Sequence, residues 1–102
     1  MNWQLVFSFR AEEDLAAAAV WYEGKRKGLG HEFVDEVVEC LKDLGLHPLL
    51  AARKHPTKNL RWRYPRRFPY RVIYTVDEAK GSVVVLRVIH AAREDTGWRV
   101  KQ

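Results

Sequence analysis

The fold is decided by the segment Phe68-Pro69-Tyr70-Arg71-Val72-Ile73-Tyr74-Thr75-Val76, in which large apolar residues recur at every second position. This period of two predicts a strand with Phe68, Tyr70, Val72, Tyr74 and Val76 on one face. The turn sequence Asp77-Glu78-Ala79-Lys80-Gly81 follows, and after it a nearly continuous apolar run from Ser82 to Ile89. Such a run is typical of a strand in the middle of a sheet. The segment therefore predicts an antiparallel hairpin at the centre of a sheet.

Two further strands are predicted outside this hairpin. Residues 3–9 alternate, with Trp3, Leu5, Phe7 and Phe9 on one face. Residues 59–64 alternate too, which predicts Leu60, Trp62 and Tyr64 on the core face and Arg61 and Arg63 on the other. Residues 45–59 contain Pro48 and Pro56 and are expected to be irregular.

The segment between residues 11 and 44 has the spacing of two helices. Leu15, Ala18, Ala19 and Tyr22 form the stripe of a first helix, whose N-cap is unclear because Ser8 lies early and Arg10 is a poor cap. Gly28-Leu29-Gly30 would supply the left-handed conformations of a tight turn. A second helix is expected from His31 to Leu44, ended by Gly45. Cys40 lies on its apolar face, where packing is the expected role.

These elements predict one α+β domain spanning residues 1–102. Its order is β-α-α-β-β-β, with the helical hairpin packed on one face of a mainly antiparallel sheet. The 102 residues suffice for one core.

The composition excludes several classes of protein. A single Cys rules out a disulfide framework, and His31, His47 and His55 lack metal-ligand spacing, so neither metal nor cofactor is expected. No apolar run approaches the roughly 18 residues of a membrane span, and Met1-Asn2-Trp3 opens no signal peptide. A cytoplasmic location without membrane contact is expected.

The net charge of +5 is unevenly distributed. Residues 45–76 contain no acid and eight bases, whereas residues 1–44 contain nine acids and five bases. The eight bases are Arg53, Lys54, Lys58, Arg61, Arg63, Arg66, Arg67 and Arg71. Such a cluster favours a site for phosphates or for an acidic partner, and the alternative is a solvated basic loop.

Several motifs in their order resemble those of the RelE/ParE superfamily of toxins. They are Ala11…Asp14-Leu15…Trp21-Tyr22, Gly28-Leu29-Gly30…Glu32-Phe33, Phe68-Pro69-Tyr70-Arg71-Val72-Ile73-Tyr74 and Val88-Ile89-His90-Ala91-Ala92-Arg93. The resemblance covers nearly the whole chain, from about residue 3 to Trp98. It implies the toxin of a bacterial type II toxin–antitoxin module, of the ParE-like or plasmid-stabilisation kind, held by a cognate antitoxin in a hetero-oligomer.

The resemblance leaves two targets open. One branch of the superfamily cleaves messenger RNA on the ribosome, and the other poisons DNA gyrase without a known catalytic site. RNA cleavage would need a base, an acid and cations at the phosphate. Candidates for the cations are Arg61, Arg63, Arg71 and Arg93, and those for proton transfer are His90, Tyr70 and Tyr74.

Departures from the cleaving branch favour gyrase as the target and a chain that is not an enzyme. The sequence ends four residues after Trp98, too soon for the further helix with a Tyr that cleaving members often carry, and Pro69 stands where some carry a base. An mRNA endonuclease using His90, Arg93, Arg71 and Tyr74 is the alternative, as is an attenuated toxin that only binds its antitoxin. The residues expected to bind target or antitoxin are Lys54, Lys58, Arg61, Arg63, Arg66, Arg67, Arg71, Arg93 and Trp98. For His90, Arg93 and Trp98 the alternatives are a structural hydrogen bond, a salt bridge and packing at the sheet edge.

Overall fold

The elements follow the predicted order. The computed structural model describes residues 3–49 and 53–93. Its elements are β1 (Gln4–Phe7), α1 (Phe9–Lys25), α2 (Leu29–Leu46), β2 (Arg53–Lys54), β3 (Arg61–Arg63), β4 (Tyr70–Asp77), β5 (Ser82–His90) and a 3-10 turn (Ala91–Arg93). The α+β fold with the order β-α-α-β-β-β is thus confirmed, and the two-residue strand β2 is added where residues 45–59 were predicted to be irregular. Within the described residues, neither helix has the length and apolarity to cross a membrane.

The five strands form one mixed sheet in the order β1-β5-β4-β3-β2. β4 and β5 pair from Tyr70↔His90 to Asp77↔Ser82, with one register shift between Ile73 and Tyr74. β1 pairs with the other edge of β5 in parallel, and the remaining pairs are antiparallel. The prediction that the run Ser82–Ile89 lies inside the sheet is therefore confirmed.

The core lies between one face of the sheet and the two helices. The alternating residues Tyr70, Val72, Tyr74 and Val76 face it as predicted, together with Phe33, Val37 and Leu44 from α2. Its aromatic centre is formed by Tyr22, Phe33 and Phe68, whose ring centroids lie 4.9–5.1 Å apart. Burying such side chains stabilises the fold by about 1.5–3 kcal/mol each, which holds the helices on the sheet.

The boundary between β1 and α1 differs from the prediction. Ser8 is the N-cap of α1: its hydroxyl accepts the N–H of Ala11 at 3.1 Å and donates to the carbonyl of Leu86 at 3.0 Å. Phe9 starts the helix instead of ending the strand, and it is 71% exposed. The cap thus anchors the start of α1 to β5.

The turn between the helices uses its two glycines differently. Gly28 has a φ of 88°, the left-handed conformation that was predicted. Gly30 is instead helical, and a Cβ on it would lie 2.4 Å from the carbonyl oxygen of Ala19. The Glu23 carboxylate accepts the N–H groups of both glycines at 2.8 and 2.9 Å and so caps α2 from α1.

The other end of α2 also differs from the prediction. The helix continues through Gly45 to Leu46, so the expectation that Gly45 ends it was wrong.

The faces of β3 are the reverse of the prediction. The register pairs Trp62 with Ile73 and Arg63 with Val72. Because Val72 faces the helices and directly opposed residues share a face, Arg63 points toward α2 and Trp62 points away from it. Trp62 is nevertheless buried, with only 8% of its surface exposed, so burial does not tell which face of the sheet it lies on.

Replacing Gly30 with Ala is expected to lower the free energy of unfolding by about 1–3 kcal/mol, because the methyl group forces the helices apart. Gly45→Ala is the matched control: nothing lies within 4 Å of its Cβ position, and a helical Ala should raise the value by about 0.5–1 kcal/mol. Urea unfolding of both variants checks this, and equal effects would contradict the close approach at Gly30.

The stability should depend on pH through Glu23. The hydrogen bonds from Gly28 and Gly30 lower the pKa of Glu23 below its usual value of 4.5. A lowered folded-state pKa contributes stability above 4.5 that is lost as the pH falls through the folded-state pKa. Glu23→Gln should therefore be less stable than the parent at neutral pH, and the difference should shrink in acid. Thermal unfolding between neutral pH and about pH 3 measures it, and a difference independent of pH would exclude this role.

Candidate functional site

The basic segment meets the acidic face of α2. The buried guanidinium of Arg63 donates to the carboxylate of Asp43 and to the carbonyl of His47, just past the end of α2. A cation suits this end of a helix, where unpaired carbonyls concentrate partial negative charge. Arg63 therefore joins the sheet to the helix and is not available at the surface.

Arg67 is also paired within the chain. Its guanidinium donates to Glu32 at 3.2 Å and to Glu36 at 3.4 Å on α2. The hydrogen bond to Glu32 raises the pKa of Arg67, and the hydrogen bonds from Arg26 and Arg67 lower the pKa of Glu32. Arg63 and Arg67, two of the eight bases of the segment, thus form ion pairs with acids of α2.

Arg71 lies on the sheet face that points away from the helices. Its Nε donates to the hydroxyl of Tyr64 at 3.1 Å, and its guanidinium carbon lies 5.5 Å from the ring centroid of Trp62. Tyr64 is 43% exposed, so the Arg71–Tyr64 pair reaches solvent. A guanidinium held against aromatic rings remains charged, and the rings fix the orientation of its plane.

His90 lies at the other face, beside a cavity of about 400 Å³. The cavity is lined by Asp14, Ala17, Ala18, Trp21, Tyr70, Arg87, Val88, Ile89 and His90. The ring of His90 packs edge-on against Tyr70 at 5.2 Å, and its Nδ1 accepts the N–H of Ala92 at 3.0 Å. In the neutral ring the proton is then on Nε2, which makes this atom a donor and not a base.

Tyr74 has an internal role. It has no exposed surface, and its hydroxyl donates to the carbonyl of Pro48 at 2.7 Å. Burial raises the pKa of Tyr74, with Arg63 opposing the shift. The sequence offered Tyr74 for proton transfer in the endonuclease alternative, but its hydroxyl is buried and bonded within the fold.

The proposed catalytic residues are not brought together among the described residues. The register pairs Tyr70 with His90 and Arg71 with Ile89, so His90 and Arg71 lie on opposite faces of the sheet. Arg93 belongs to the 3-10 turn after β5. Its side chain, and the whole of Trp98, lie outside the described part of the chain.

The remaining bases lie at the surface. Lys54 and Lys58 are exposed, on β2 and in the turn that follows, and Arg61 is half-buried on β3. Arg66 is exposed beside α2 and lines a cavity of about 250 Å³ with Glu36, Glu39 and Cys40. Within the described residues, no ion pair involves Lys54, Lys58, Arg61 or Arg66.

Sequence reasoning missed the pair Asp14–Arg87 at the edge of β5. Arg87 donates to Asp14 at 2.7 and 3.1 Å, and Asp14 also accepts the N–H of Val88 at 3.0 Å. The carboxylate thereby covers the edge of β5 beyond the end of β1. A single Arg inside the apolar run Val83–Ile89 was the available signal, because a charge at such a position needs a partner.

Cys40, expected to pack and not to react, lies half-buried on α2. Burial raises the pKa of the Cys40 thiol to about 11, which disfavours the reactive thiolate. Among the described residues, no group of three or more His, Cys, Asp and Glu side chains could hold a metal ion.

Comparisons with known proteins identify related sequences and folds. The sequence model of the family described as ParE toxin of type II toxin-antitoxin system, parDE, matches residues 5–95. A comparison with curated proteins gives no significant match.

Solved structures share the fold. The chromosomal ParDE system of P. aeruginosa matches with a TM-score of 0.76 and 21% identity over 87% of this chain and 96% of that one. A mutant of the E. coli toxin RelE in the free state gives 0.73 and 23% over 99% and 97%. The toxin-antitoxin complex RelBE2 of Mycobacterium tuberculosis gives 0.61 and 24% over 88% and 99%.

Removing the hydroxyl of Tyr74 is expected to destabilise the protein. Tyr74→Phe leaves the carbonyl of Pro48 without this donor, which should lower the free energy of unfolding by about 1–3 kcal/mol. Tyr64→Phe is the control, because its hydroxyl lies at the surface, and its effect should be within about 0.5 kcal/mol. Denaturant unfolding of the two variants measures this, and equal small effects would mean that the Tyr74 hydroxyl is not needed for stability.

Proposed function

Since the chain belongs to the ParE toxin family of type II toxin–antitoxin systems, we propose that it arrests growth by acting on DNA gyrase when it is free. Its cognate antitoxin neutralises it by forming a toxin–antitoxin complex. The protein then acts in the bacterial cytoplasm as a binding inhibitor and not as a nuclease.

We favour gyrase over messenger RNA as the target because the residues proposed for RNA cleavage lie apart from one another. A base and the cations that receive the phosphate must converge within hydrogen-bond reach of one nucleotide. In the described part of the chain, the Nδ1 of His90 already accepts a backbone N–H and Arg71 lies on the other face of the sheet. Tyr74 is buried and bonded internally. These residues therefore supply no joint acid–base site, which favours a target bound without cleavage.

Structural relatives from toxin–antitoxin systems support an antitoxin as the partner. The structural relatives from P. aeruginosa and M. tuberculosis are a ParDE system and a RelBE2 toxin-antitoxin complex. The outward bases Lys54, Lys58, Arg66 and Arg71 and the half-buried Arg61 offer such a partner a basic surface. The exposed ring of Trp21, beside the cavity that contains His90, offers it an apolar contact.

The proposal predicts a specific effect on DNA topology in cells. Induction of the chain alone should stop bacterial growth and reduce the negative supercoiling of a reporter plasmid. Coexpression of the short open reading frame next to the toxin gene should restore both. Growth curves and plasmid topoisomer gels measure the effects, and sequencing of RNA 5′ ends in the same cells detects messenger cleavage.

Two outcomes separate the alternatives. Cuts at codon boundaries with normal supercoiling would replace gyrase by messenger RNA as the target. Normal growth at every level of induction would indicate an attenuated toxin. Arg71→Ala serves as a surface variant: growth arrest should weaken while the thermal unfolding temperature stays close to that of the parent, since Arg71 is outside the core.

A further inference from the structure

The hairpin formed by β2 and β3 carries three cations without partners in the described part of the chain. We define Lys54, Lys58 and Arg61 as the hairpin cations. Among the described residues, the side chains of these three form no ion pair and no hydrogen bond. The Nε of Arg61 is buried and has no hydrogen-bond partner there. On the same strand, the two terminal nitrogens of Arg63 are both bonded, one to Asp43 of α2 and one to the carbonyl of His47.

The backbone holds two of these cations side by side. The register pairs Lys54 directly with Arg61 across the strands, so their side chains leave the sheet on the same face. Like charges at directly opposed positions destabilise a sheet. Lys58 belongs to the turn between the strands, where the Nδ1 of His55 accepts its N–H at 3.0 Å and that of Thr57 at 3.1 Å.

Among the described residues, no acid forms an ion pair that would relieve this repulsion. Residues 45–76 contain no acid. Asp77 and Glu78 line the same depression as Arg61, but neither forms an ion pair with it. Asp77 instead accepts the N–H of Lys80 in the turn between β4 and β5. An external anion would therefore satisfy the hairpin cations.

We infer that the hairpin cations bind the phosphate backbone of duplex DNA. Cationic side chains without base contacts are the usual means of holding that backbone. Trp62, the hairpin's one large aromatic residue, is 8% exposed and offers no face on which an unpaired base could stack. This disfavours single-stranded RNA.

The hairpin also lacks the features of a protein interface. No large apolar side chain between residues 54 and 63 is among the exposed ones, whereas interfaces between proteins bury an apolar centre. A polar and strongly basic surface is instead typical of contacts with DNA. The inference rests on the proposed function only for the source of the DNA, which would be the segment held by gyrase.

The test is direct binding of the purified chain to a short fluorescein-labelled DNA duplex, followed by anisotropy. Three phosphate contacts predict a slope near −2.7 in a plot of log affinity against log salt. This corresponds to a loss of about 40-fold between 50 and 200 mM salt. The triple variant Lys54→Gln, Lys58→Gln, Arg61→Gln should lose this affinity and flatten the slope.

A charge-matched control separates this site from bulk charge. Arg10→Gln, Lys27→Gln, Lys42→Gln removes the same three positive charges at positions outside the hairpin, and it should bind DNA with the slope of the parent. Equal losses in both triple variants, or no loss in the hairpin variant, would overturn the inference. So would polyglutamate that competes as well as unlabelled duplex at equal charge.

The experiment is independent of gyrase. Loss of DNA binding in the hairpin variant, together with unchanged supercoiling after induction of the parent, would support the inference and contradict the proposed function. Reduced supercoiling by a parent chain that does not bind DNA would support the proposed function and contradict the inference.

Discussion

The buried guanidinium of Arg63 is the contact on which the arrangement of the basic segment depends. It lies between the sheet and the end of α2, where it meets Asp43 and the carbonyl of His47. Because side chains alternate along a strand, placing Arg63 on the helix side forces Trp62 to the other side. The same register sets Arg61 opposite Lys54 at the outer edge of the sheet. By the same alternation Arg61 shares the face of Arg63, but it stands opposite Lys54 of the edge strand β2 and is only half-buried.

This division changes the meaning of the charge pattern. The eight bases of residues 45–76 are not one uniform surface: Arg63 and Arg67 neutralise acids of α2, and Arg71 stacks on aromatic rings at the far face of the sheet. Lys54, Lys58 and Arg61 remain at the edge that β2 forms. A binding inhibitor needs such an outward surface, whereas a nuclease needs its charged groups to converge on one nucleotide.

The sequence predicted the elements whose signal is a long, regular pattern. β4 and β5 alternate or run apolar over eight and nine residues, and α2 shows a clear apolar stripe, so all three were identified in type, and β4 and α2 also in the face that they bury. The three-residue strand β3 carried too short a pattern to show which side chains face the helices, since Trp62 on one face and Arg63 on the other are both buried in the fold. The register with β4 and the contact of Arg63 with Asp43 distinguish the two faces. The pair Asp14–Arg87 joins residues far apart in the chain, so no local pattern can show it. Gly30 is required by the close approach of the two helices and not by its own backbone conformation, so a turn motif does not reveal its role.

The most direct measurement compares two arginines that stand two positions apart on β3. The free energy of unfolding of Arg63→Gln should fall by about 2 kcal/mol or more, because a buried network loses its cation. That of Arg61→Gln should stay within about 0.5 kcal/mol of the parent, because Arg61 has no partner in the described chain to lose. Equal effects, or a larger loss for Arg61, would contradict the division of the basic segment into an internal and an outward part.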